Sequence, residues 1–598
     1  MFFFLDEKEQ KNQAIPIVIG TDGISHRQAG AADWRAARSF ELICSKYSLH
    51  LPDMTELTAS RFTSDDKKAL WLTLFAFISY VVYSFFSTGF YQHDEIGHYF
   101  NMREFWNNPN VILGNSPKTG YKLIYVVPAL LGNKFLIYFN AALAALTCFI
   151  TYKVAQRIAP KFAWLAFFLV ALQPYWIQLS FRNYADTFSG FVIITALYYH
   201  FEKKFIISSL ILSFAGIIRQ EFLLLIPIYG VWHAMNKRWV CFFLLGLFPL
   251  INNIWGWAAT GEPLYLLTAS SKTAARYADE WPRQGFDHYF KMGVVIWGAV
   301  QYLLLFMFFV LFMLRRFKLF NEAEFAKENK LHNDKTFSAL FISLPFIIYF
   351  FTHCLFNWES VKVGASTGGN LRYMDAVSPL VALLGCIAVE RTRFVTKKAG
   401  LWAMMVIYVL LVGVFLTYKH NNVILLTESR DDKPVERDYL PLLFSIATLA
   451  CLIFIQKQKT LITSLSVIAL LFALVAVKPF KMTPEDLTME KITNSLIAKK
   501  YTDNNTPIYI NHTLFKYFYD KKKHGVYKEQ VYMDSLSLAT APVGSIMVWE
   551  SHYSYRPKLN KNTVNADYFT RRPTEYTLQQ NHISTDQRFQ ALIFEKVK

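Results

Sequence analysis

The sequence predicts an α-helical polytopic membrane protein with about thirteen transmembrane helices and a small C-terminal extracytoplasmic α/β domain. Two observations favour this fold class. The 598 residues are 53% hydrophobic and 17% aromatic but only 18% charged, which is too apolar for an ordinary soluble protein of this length. The apolar residues also occur in runs that are long enough to cross a bilayer as helices and are separated by polar loops.

The membrane spans are predicted by comparing the length of each apolar run as a helix, at about 1.5 Å per residue, with the thickness of the hydrocarbon layer. The fifth and sixth spans are close enough to form one broken hairpin. A shorter run, 121–131, is predicted to lie at the interface as an amphipathic helix. The predicted spans are 69–90, 134–152, 162–179, 187–202, 205–218, 221–236, 239–257, 293–314, 338–356, 374–389, 400–418, 439–455 and 460–478.

The net charge of +18 is concentrated in loops between these spans. Basic pairs such as Lys203-Lys204 and Lys237-Arg238 fall in every second loop, and basic loops stay in the cytoplasm. This accounts for the charge without nucleic acid, and we expect the lipid bilayer as the partner, in a bacterial inner membrane rather than the endoplasmic reticulum. The predicted domains are 1–68, a cytoplasmic polar segment; 69–478, the multi-span domain; and 479–598, an extracytoplasmic soluble domain.

The C-terminal segment is polar and long enough for a small domain. Its apolar runs 506–510 and 545–549 are typical of buried strands. Residues 485–500 have the pattern of a helix. These elements predict a small α/β domain.

An acidic pair, Asp94 and Glu95, directly follows the first predicted span. A charged side chain in the middle of a bilayer costs at least about 2.5–3.5 kcal/mol, so such a pair indicates a watery cavity or a reaction site. His93 and His98 flank the pair, but neighbouring helical residues do not converge on one point. No distant His or Asp partner and no Cys/His metal spacing is evident, so we predict no metal ligand, although a divalent cation remains open as a cofactor. We expect His93 to be a hydrogen-bond partner that contributes to substrate binding.

Further polar side chains are predicted at the outer ends of later spans. Arginine binds phosphate through a bidentate fork, and a carboxylate can take the proton of an attacking hydroxyl group. Acidic and basic groups at one membrane depth therefore suit glycosyl transfer from a polyprenyl-phosphate sugar, in a single displacement with inversion. The candidates are Arg182, Asp186, Arg219, Glu221, Arg372 and Tyr373.

Structural roles remain open for the same residues. Arg182 and Asp186 are four residues apart and fit a helix-end ion pair, which is worth only about 0.3–0.5 kcal/mol. Arg219 and Glu221 fit an anchor for a short turn. Arg372 fits a side chain that extends to the membrane interface.

The acidic pair after the first span resembles the signature of the GT-C class of membrane glycosyltransferases. That class includes protein O-mannosyltransferases, dolichol-dependent mannosyltransferases and lipid A aminoarabinose transferases. The resemblance covers about residues 69–400. Three later segments are similar to motifs of that class: Pro117-Lys118-Thr119-Gly120-Tyr121 through Pro128, Ile217-Ile218-Arg219-Gln220-Glu221 with Pro227, and Gly369-Asn370-Leu371-Arg372-Tyr373 with Pro379.

The resemblance implies a GT-C-like fold, a polyprenyl-phosphate-linked donor of a mannose-like hexose, and an acceptor hydroxyl on a glycan, lipid or protein. It implies that Asp94 is the general base or binds the acceptor hydroxyl. Glu95 would support Asp94 or bind the sugar. Arg372 would hold the lipid phosphate, and Arg219 is a second phosphate candidate.

Two other functions compete with the enzyme. A transporter or flippase for lipid-linked saccharides would place charges or broken helices near the bilayer midplane, often in repeated halves. The chain shows no internal repeat, and its unusual charges lie at span ends. A surface-polysaccharide polymerase or ligase would share the donor chemistry, but such proteins are usually marked by a large outer loop late in the chain. The pattern favours the glycosyltransferase.

Overall fold

The structure is a computed structural model that describes residues 63–114, 118–269, 285–317, 319, 321, 335–358, 370–417, 439–557 and 560–598. Up to residue 478, the regular structure of these residues is helical. Residues 479–598 add a mixed sheet with short helices. The predicted 1–68 segment falls almost entirely outside the described residues.

Helices overlap each predicted span. Within the described residues, seven helical segments are long and apolar enough to cross a membrane, and four apolar helices are shorter. The chain is therefore a multi-pass integral membrane protein. The number of thirteen crossings, their direction and the side of each terminus stay predictions. The seven segments are Ser64–Phe86, Asn133–Ile158, Trp239–Thr260, Ala299–Arg316, Ala339–Phe356, Leu371–Phe394 and Gln458–Ala476.

The helices of this part of the chain are connected by short turns, several of them 3₁₀. The 3₁₀ turns are Pro109–Ile112, Pro160–Phe162, Gln220–Leu224, Leu371–Val377 and Thr392–Phe394. The helices are α1 Ser64–Phe86, α2 Asp94–Glu104, α3 Thr119–Leu130, α4 Asn133–Ile158, α5 Ala163–Ala171, α6 Pro174–Leu179, α7 Ala185–Phe201, α8 Phe205–Ile218, α9 Leu225–Met235, α10 Trp239–Leu244, α11 Leu247–Thr260, α12 His288–Trp297, α13 Ala299–Arg316, α14 Lys335–Phe356, α15 Ser378–Arg391, α16 Lys398–Thr417, α17 Leu440–Phe454 and α18 Gln458–Ala476.

The first helix ends earlier than predicted. Helix α1 stops at Phe86 because the next residues bind the segment that follows the last membrane helix. The Gly89 N–H donates to the Phe480 carbonyl at 3.0 Å, and the Phe480 N–H donates to Ser87 Oγ at 3.0 Å. A Cβ on residue 89 would lie 2.0 Å from the Lys481 carbonyl oxygen, so only glycine fits this close approach.

Other predicted spans are interrupted as well, and 239–257 is divided between α10 and α11. The span 162–179 breaks between α5 and α6, where Pro174 lacks the N–H that a continuous helix needs. The span 293–314 breaks between α12 and α13 at Gly298, which has φ +80°. The predicted interfacial segment is helical, as α3, and buries Tyr121 and Tyr125 one turn apart.

Helix α15 lies at the centre of the helical part, since nearly all of its side chains are buried, and it packs against α13, α14, α5 and α4. Its burial fixes the preceding 3₁₀ turn, Leu371–Val377, which packs against α7. Arg372 and Asp375 are therefore held inside the protein on a buried turn.

The C-terminal residues form a five-stranded sheet with strand order β2-β1-β3-β5-β4. Strands β1 and β3 coincide with the predicted strands, and α19 with the predicted helix. Whether these residues are a separate extracytoplasmic domain stays a prediction. The elements are α19 Pro484–Ala498, β1 Ile508–Ile510, α20 Thr513–Lys523, β2 Gln530–Val531, α21 Ser535–Ala539, β3 Ile546–Glu550, α22 Asp567–Thr570, β4 Tyr576–Ile583 and β5 Gln590–Lys596.

The sheet is parallel on one side and antiparallel on the other. β1 pairs with β2 and β3 in parallel, with Ile510 opposite Val548. β3 and β4 both pair with β5 in antiparallel fashion. Because β1 and β3 run in the same direction, the residues that follow them meet at one edge of the sheet.

Candidate active site

The acidic pair opens helix α2, where the positive end of the helix dipole favours negative charge. The two carboxylates have different surroundings. The Asp94 side chain is 61% exposed, whereas that of Glu95 is 7% exposed. The pair therefore presents one accessible and one buried carboxylate.

Glu95 is held by Arg182. Glu95 Oε1 accepts from Arg182 Nη1 and from the Tyr91 N–H, each at 3.1 Å. Arg182 also donates to the Gly89 carbonyl at 2.6 Å and to Ser87 Oγ at 2.8 Å. Burial raises the pKa of Glu95 above its usual value, and the Arg182 charge opposes that shift.

The predicted helix-end pair between Arg182 and Asp186 is therefore wrong. Helix α7 begins only at Ala185, so the two residues do not face each other on one helix. Arg182 turns towards Glu95, and Asp186 pairs with Arg219.

Most of the other candidates form one chain of ion pairs. Arg372 Nη2 lies 3.2 Å from Asp94 Oδ2, and Arg372 Nε lies 3.8 Å from Asp186 Oδ2. Asp186 also pairs with Arg219, whose Nη2 lies 2.9 Å from Glu221 Oε1. The order is Asp94, Arg372, Asp186, Arg219 and Glu221, so charges from four separated segments converge.

Arg372 is a buried cation rather than an arginine that extends to the interface. Its side chain is 4% exposed, and its guanidinium lies 4.3 Å from the centre of the Tyr184 ring. Its Nη1 is buried, and no described residue accepts a hydrogen bond from it. Since buried donors are nearly always paired, this N–H group is suited to a ligand.

Arg219 is more fully occupied. Its two terminal nitrogens pair with Asp186 and Glu221, and its guanidinium lies 4.6 Å from the centre of the Tyr373 ring. The His353 ring stacks on the Tyr373 ring, with 5.3 Å between their centres, and His353 Nε2 lies 3.3 Å from Glu221 Oε1. The predicted turn-anchoring contact between Arg219 and Glu221 is present, and it leaves Arg219 fewer donors for a phosphate than Arg372 has.

Comparison with solved structures identifies this fold, although no protein-family model and no curated protein matches the sequence. ArnT from Cupriavidus metallidurans bound to undecaprenyl phosphate matches with a TM-score of 0.51 and 11% identity, over 88% of this chain and 98% of that one. The apo state of the same protein matches with a TM-score of 0.50 and 12% identity, over 89% and 98%. The chain has the ArnT fold. ArnT is a GT-C aminoarabinose transferase, so the GT-C fold predicted from the acidic pair is confirmed.

Within the ArnT fold, Lys118 joins the site although the sequence did not single it out. Lys118 directly precedes α3. Its pKa is lowered to about 8, mainly by burial and also by the nearby Arg372 charge, while Asp186 and Asp94 oppose the shift. The signal was available, since Lys118 is part of a segment that resembles a GT-C motif.

Other neighbours fix the backbone around the pair. Asn183 Nδ2 donates to the Glu95 carbonyl at 2.8 Å, and the Tyr121 hydroxyl donates to Asn183 Oδ1 at 2.5 Å. Asp375, one turn after Arg372, is fully buried and accepts from Thr187 Oγ1 at 3.0 Å. Of these residues, Tyr121 lies in a segment that resembles a GT-C motif.

His93 faces away from the ion-pair chain. Its Nδ1 lies 2.8 Å from the Tyr553 hydroxyl, and its Nε2 lies 2.9 Å from Asp486 Oδ1. Both partners belong to the C-terminal part of the ArnT-like chain. Its predicted contribution to substrate binding stays a prediction, and its contacts point to a different role, developed below.

Proposed function

We propose that this protein is an integral-membrane glycosyltransferase that moves a sugar from a polyprenyl-phosphate donor to an acceptor hydroxyl on the extracytoplasmic face. The fold of ArnT, whose structure contains undecaprenyl phosphate, supports a lipid-phosphate ligand. The observation that carries the proposal is Arg372, a buried guanidinium next to an accessible carboxylate, whose Nη1 makes no hydrogen bond to any described residue.

Arg372 is the principal phosphate ligand in this proposal. Asp94 and Asp186 keep its position while Nη1 remains available to a phosphate oxygen. Lys118 adds a second cation from the N-terminal end of α3. Arg219 and Glu221 act through Asp186 and Tyr373, so they are positioning residues rather than phosphate ligands.

Asp94 is the better candidate for the general base. It is accessible, whereas Glu95 is buried and bound by Arg182 and by the Tyr91 N–H. Asp94 takes the proton of the acceptor hydroxyl as the hydroxyl oxygen forms a bond to the sugar C1. The bond between C1 and the phosphate oxygen breaks, and the polyprenyl phosphate leaves with that electron pair, so the configuration at C1 inverts.

The sugar and the acceptor are the finer parts of the proposal. The sequence resemblance makes a mannose-like hexose the first donor to test. The acceptor is a hydroxyl of a glycan, a lipid or a protein. Neither follows from the fold.

The test uses the purified full chain in lipid nanodiscs with a panel of radiolabelled polyprenyl-phosphate sugars and membrane extract as the source of acceptors. We expect transfer from at least one donor. Asp94→Asn should lower kcat about 10²–10⁴-fold, the usual contribution of a general base. Asp567→Asn, at an exposed aspartate of α22, is the matched control and should retain activity. Absence of transfer from every donor, or full activity of both Asp94→Asn and Glu95→Gln, would overturn the proposal.

A further inference from the structure

A second cluster of chemically active side chains lies where helix α2 meets the C-terminal sheet. His93, Glu485, His512 and His552 each offer one ligand atom, and these atoms all lie within 4.8 Å of one another. We propose that these four residues bind one zinc-class divalent ion. The proposal concerns a site separate from the Arg372 chain and does not depend on the proposed sugar transfer.

The topology brings the ligands together from distant parts of the sequence. His512 follows β1 by two residues, and His552 follows β3 by two residues. Because β1 and β3 are parallel neighbours, both histidines lie at the same edge of the sheet, where α/β proteins commonly build their sites. Glu485 lies in the first turn of α19, and His93 is the N-cap of α2.

The distances suit a metal after small movements. Glu485 Oε1 lies 2.6 Å from His552 Nδ1, 2.9 Å from His512 Nε2 and 3.9 Å from His93 Nδ1. Zinc bonds of about 2.0–2.1 Å in a tetrahedron separate ligand atoms by about 3.3 Å. The three contacts fall on both sides of that value, and no two ligand atoms of the cluster are more than 4.8 Å apart. Movement of both ligands in the widest pair by about 0.75 Å each would bring them to the tetrahedral separation.

The donor set selects the class of ion. Three imidazole nitrogens and one carboxylate oxygen suit Zn²⁺ and similar transition metals, whereas Mg²⁺ and Ca²⁺ prefer oxygen ligands. The His512 side chain is fully buried, and Glu485 and His552 are about one-fifth exposed. The ion would thus be enclosed on one side and reachable from solvent on the other.

Outer contacts already orient the ligands as metal sites require. His93 Nε2 lies 2.9 Å from Asp486, a buried carboxylate that also accepts from the Thr483 N–H at 2.8 Å. A carboxylate on the far nitrogen of a histidine is the usual outer partner of a metal ligand, because it fixes the tautomer and leaves the near nitrogen available. Here the near nitrogen is Nδ1, which lies 3.9 Å from Glu485 Oε1. It also lies 2.8 Å from the Tyr553 hydroxyl, and a bound ion would replace that contact.

The loop that carries His552 is also fixed. The buried Glu550 carboxylate accepts from the backbone N–H groups of His552 and Tyr553, both at 2.8 Å, and from Ser554 Oγ at 3.0 Å. His512 requires one rearrangement. Its Nδ1 accepts from the Leu514 N–H at 3.3 Å, so binding an ion at Nε2 moves the ring proton to Nδ1 and gives up that long contact.

The ion would join two parts of the protein. His93 immediately precedes Asp94, so an ion bound to His93 and to three C-terminal residues would set the position of α2, which begins with the proposed base. Its role would be positional, since among the described residues no hydrogen bond or ion pair joins the four ligands to Arg372 or Lys118.

The experiment measures binding to the purified full chain after removal of metals with a chelator. Zn²⁺ is added, the bound metal is measured by mass spectrometry after desalting, and affinity is determined by competition with a chromophoric chelator. Co²⁺ then replaces Zn²⁺, because its visible absorption reports coordination geometry without reference to activity. The variants are His512→Gln and His552→Gln, with Glu485→Gln and His93→Gln as independent replacements in case one does not fold. His524→Asn, at an exposed histidine after α20, is the matched control.

We expect one ion per chain and an intense tetrahedral Co²⁺ spectrum. Loss of an outer-shell partner typically costs 10–100-fold in affinity, so loss of a ligand should cost more than about 100-fold. The control should bind like the original chain. Less than half an ion per chain, or equal binding by the original chain and by every folded ligand variant, would overturn the proposal. Either result would leave sugar transfer untouched.

Discussion

Replacement of Arg372 by lysine tests the phosphate site most directly, because it keeps the charge and removes the planar fork. Arg372 Nη2 and Nε are directed to Asp94 and Asp186, at 3.2 Å and 3.8 Å, and Nη1 is available to a ligand. The ammonium group of a lysine lacks the planar arrangement of donors that binds two carboxylates and a phosphate in these three directions at once. Arg372→Lys should therefore lose the ligand contact while it keeps part of the charge attraction.

The magnitude follows from that geometry. A hydrogen bond to a charged group contributes about 1.5–3 kcal/mol, which corresponds to about 10- to 150-fold in affinity. The retained charge offsets part of this loss, so we expect affinity for polyprenyl phosphate to fall about 10-fold in Arg372→Lys. In Arg372→Gln, which also leaves Asp94 and Asp186 without their shared cation, the fall should reach about 100-fold or more.

The assay is titration of the purified chain with a short-chain polyprenyl phosphate, followed by native mass spectrometry. Arg393→Lys is the matched control, since Arg393 lies beyond the end of α15 that is opposite to Arg372, pairs with Glu390 at 3.8 Å and is about one-third exposed. It should bind normally. Affinities of Arg372→Lys and Arg372→Gln within about twofold of the original would refute the role of the guanidinium, because the weaker limit of a charged hydrogen bond already exceeds that change.

Three further predictions concern the same site. Asp94→Asn should lower the single-turnover rate of transfer about 10²–10⁴-fold with little change in Tm, because Asp94 is exposed, whereas Glu95→Gln should act mainly on Tm. Arg182→Gln should lower the free energy of unfolding by about 3–5 kcal/mol, as it leaves the buried Glu95 without its partner, and thermal unfolding in detergent measures this. Affinity for polyprenyl phosphate should decrease as the pH rises from 7 to 9, because Lys118, with a pKa of about 8, is charged below that value and about 90% neutral at pH 9.

Each of these expectations has a control. A fall in rate with an unchanged Tm in Glu95→Gln would contradict the assignment of the base to Asp94. The double variant Glu95→Gln, Arg182→Gln should recover part of the lost stability, since no unpaired charge remains. Lys118→Arg should abolish the pH dependence between 7 and 9. The second ionisation of a phosphate monoester lies near 6, below that window, and a slope that persists in Lys118→Arg would show that another group is responsible.

The sequence predicted the class of fold and the grouping of Asp94 with Arg372, although 278 residues separate them. The inference required only that both follow or precede a span on the same side of the membrane. Periodicity and charge carry that information. They do not show how one helix is rotated relative to another, so the sequence favoured an ion pair of Arg182 with the nearby Asp186 instead of with Glu95.

The sequence did not predict the cluster around His93. His512 and His552 lie more than four hundred residues further along the chain, in a part of the sequence with no metal-binding spacing. Their meeting depends on the parallel pairing of β1 and β3 and on the packing of that sheet edge against α2. A single sequence shows neither contact, because each histidine on its own fits a buried structural role as well as it fits a metal-binding role.

The contacts between residues 87–89 and residue 480 have a consequence for biogenesis. The Phe480 N–H and Ser87 Oγ are 393 residues apart in the chain, so this closure forms only after the last membrane helix has been synthesised. Closing so long a loop carries a large entropy cost that earlier contacts must already have reduced. During synthesis, the segment that leads into Asp94 lacks these partners until the end. The segment that leads into Asp94 therefore gains these contacts only at the close of membrane insertion, and a chain released before residue 480 lacks them.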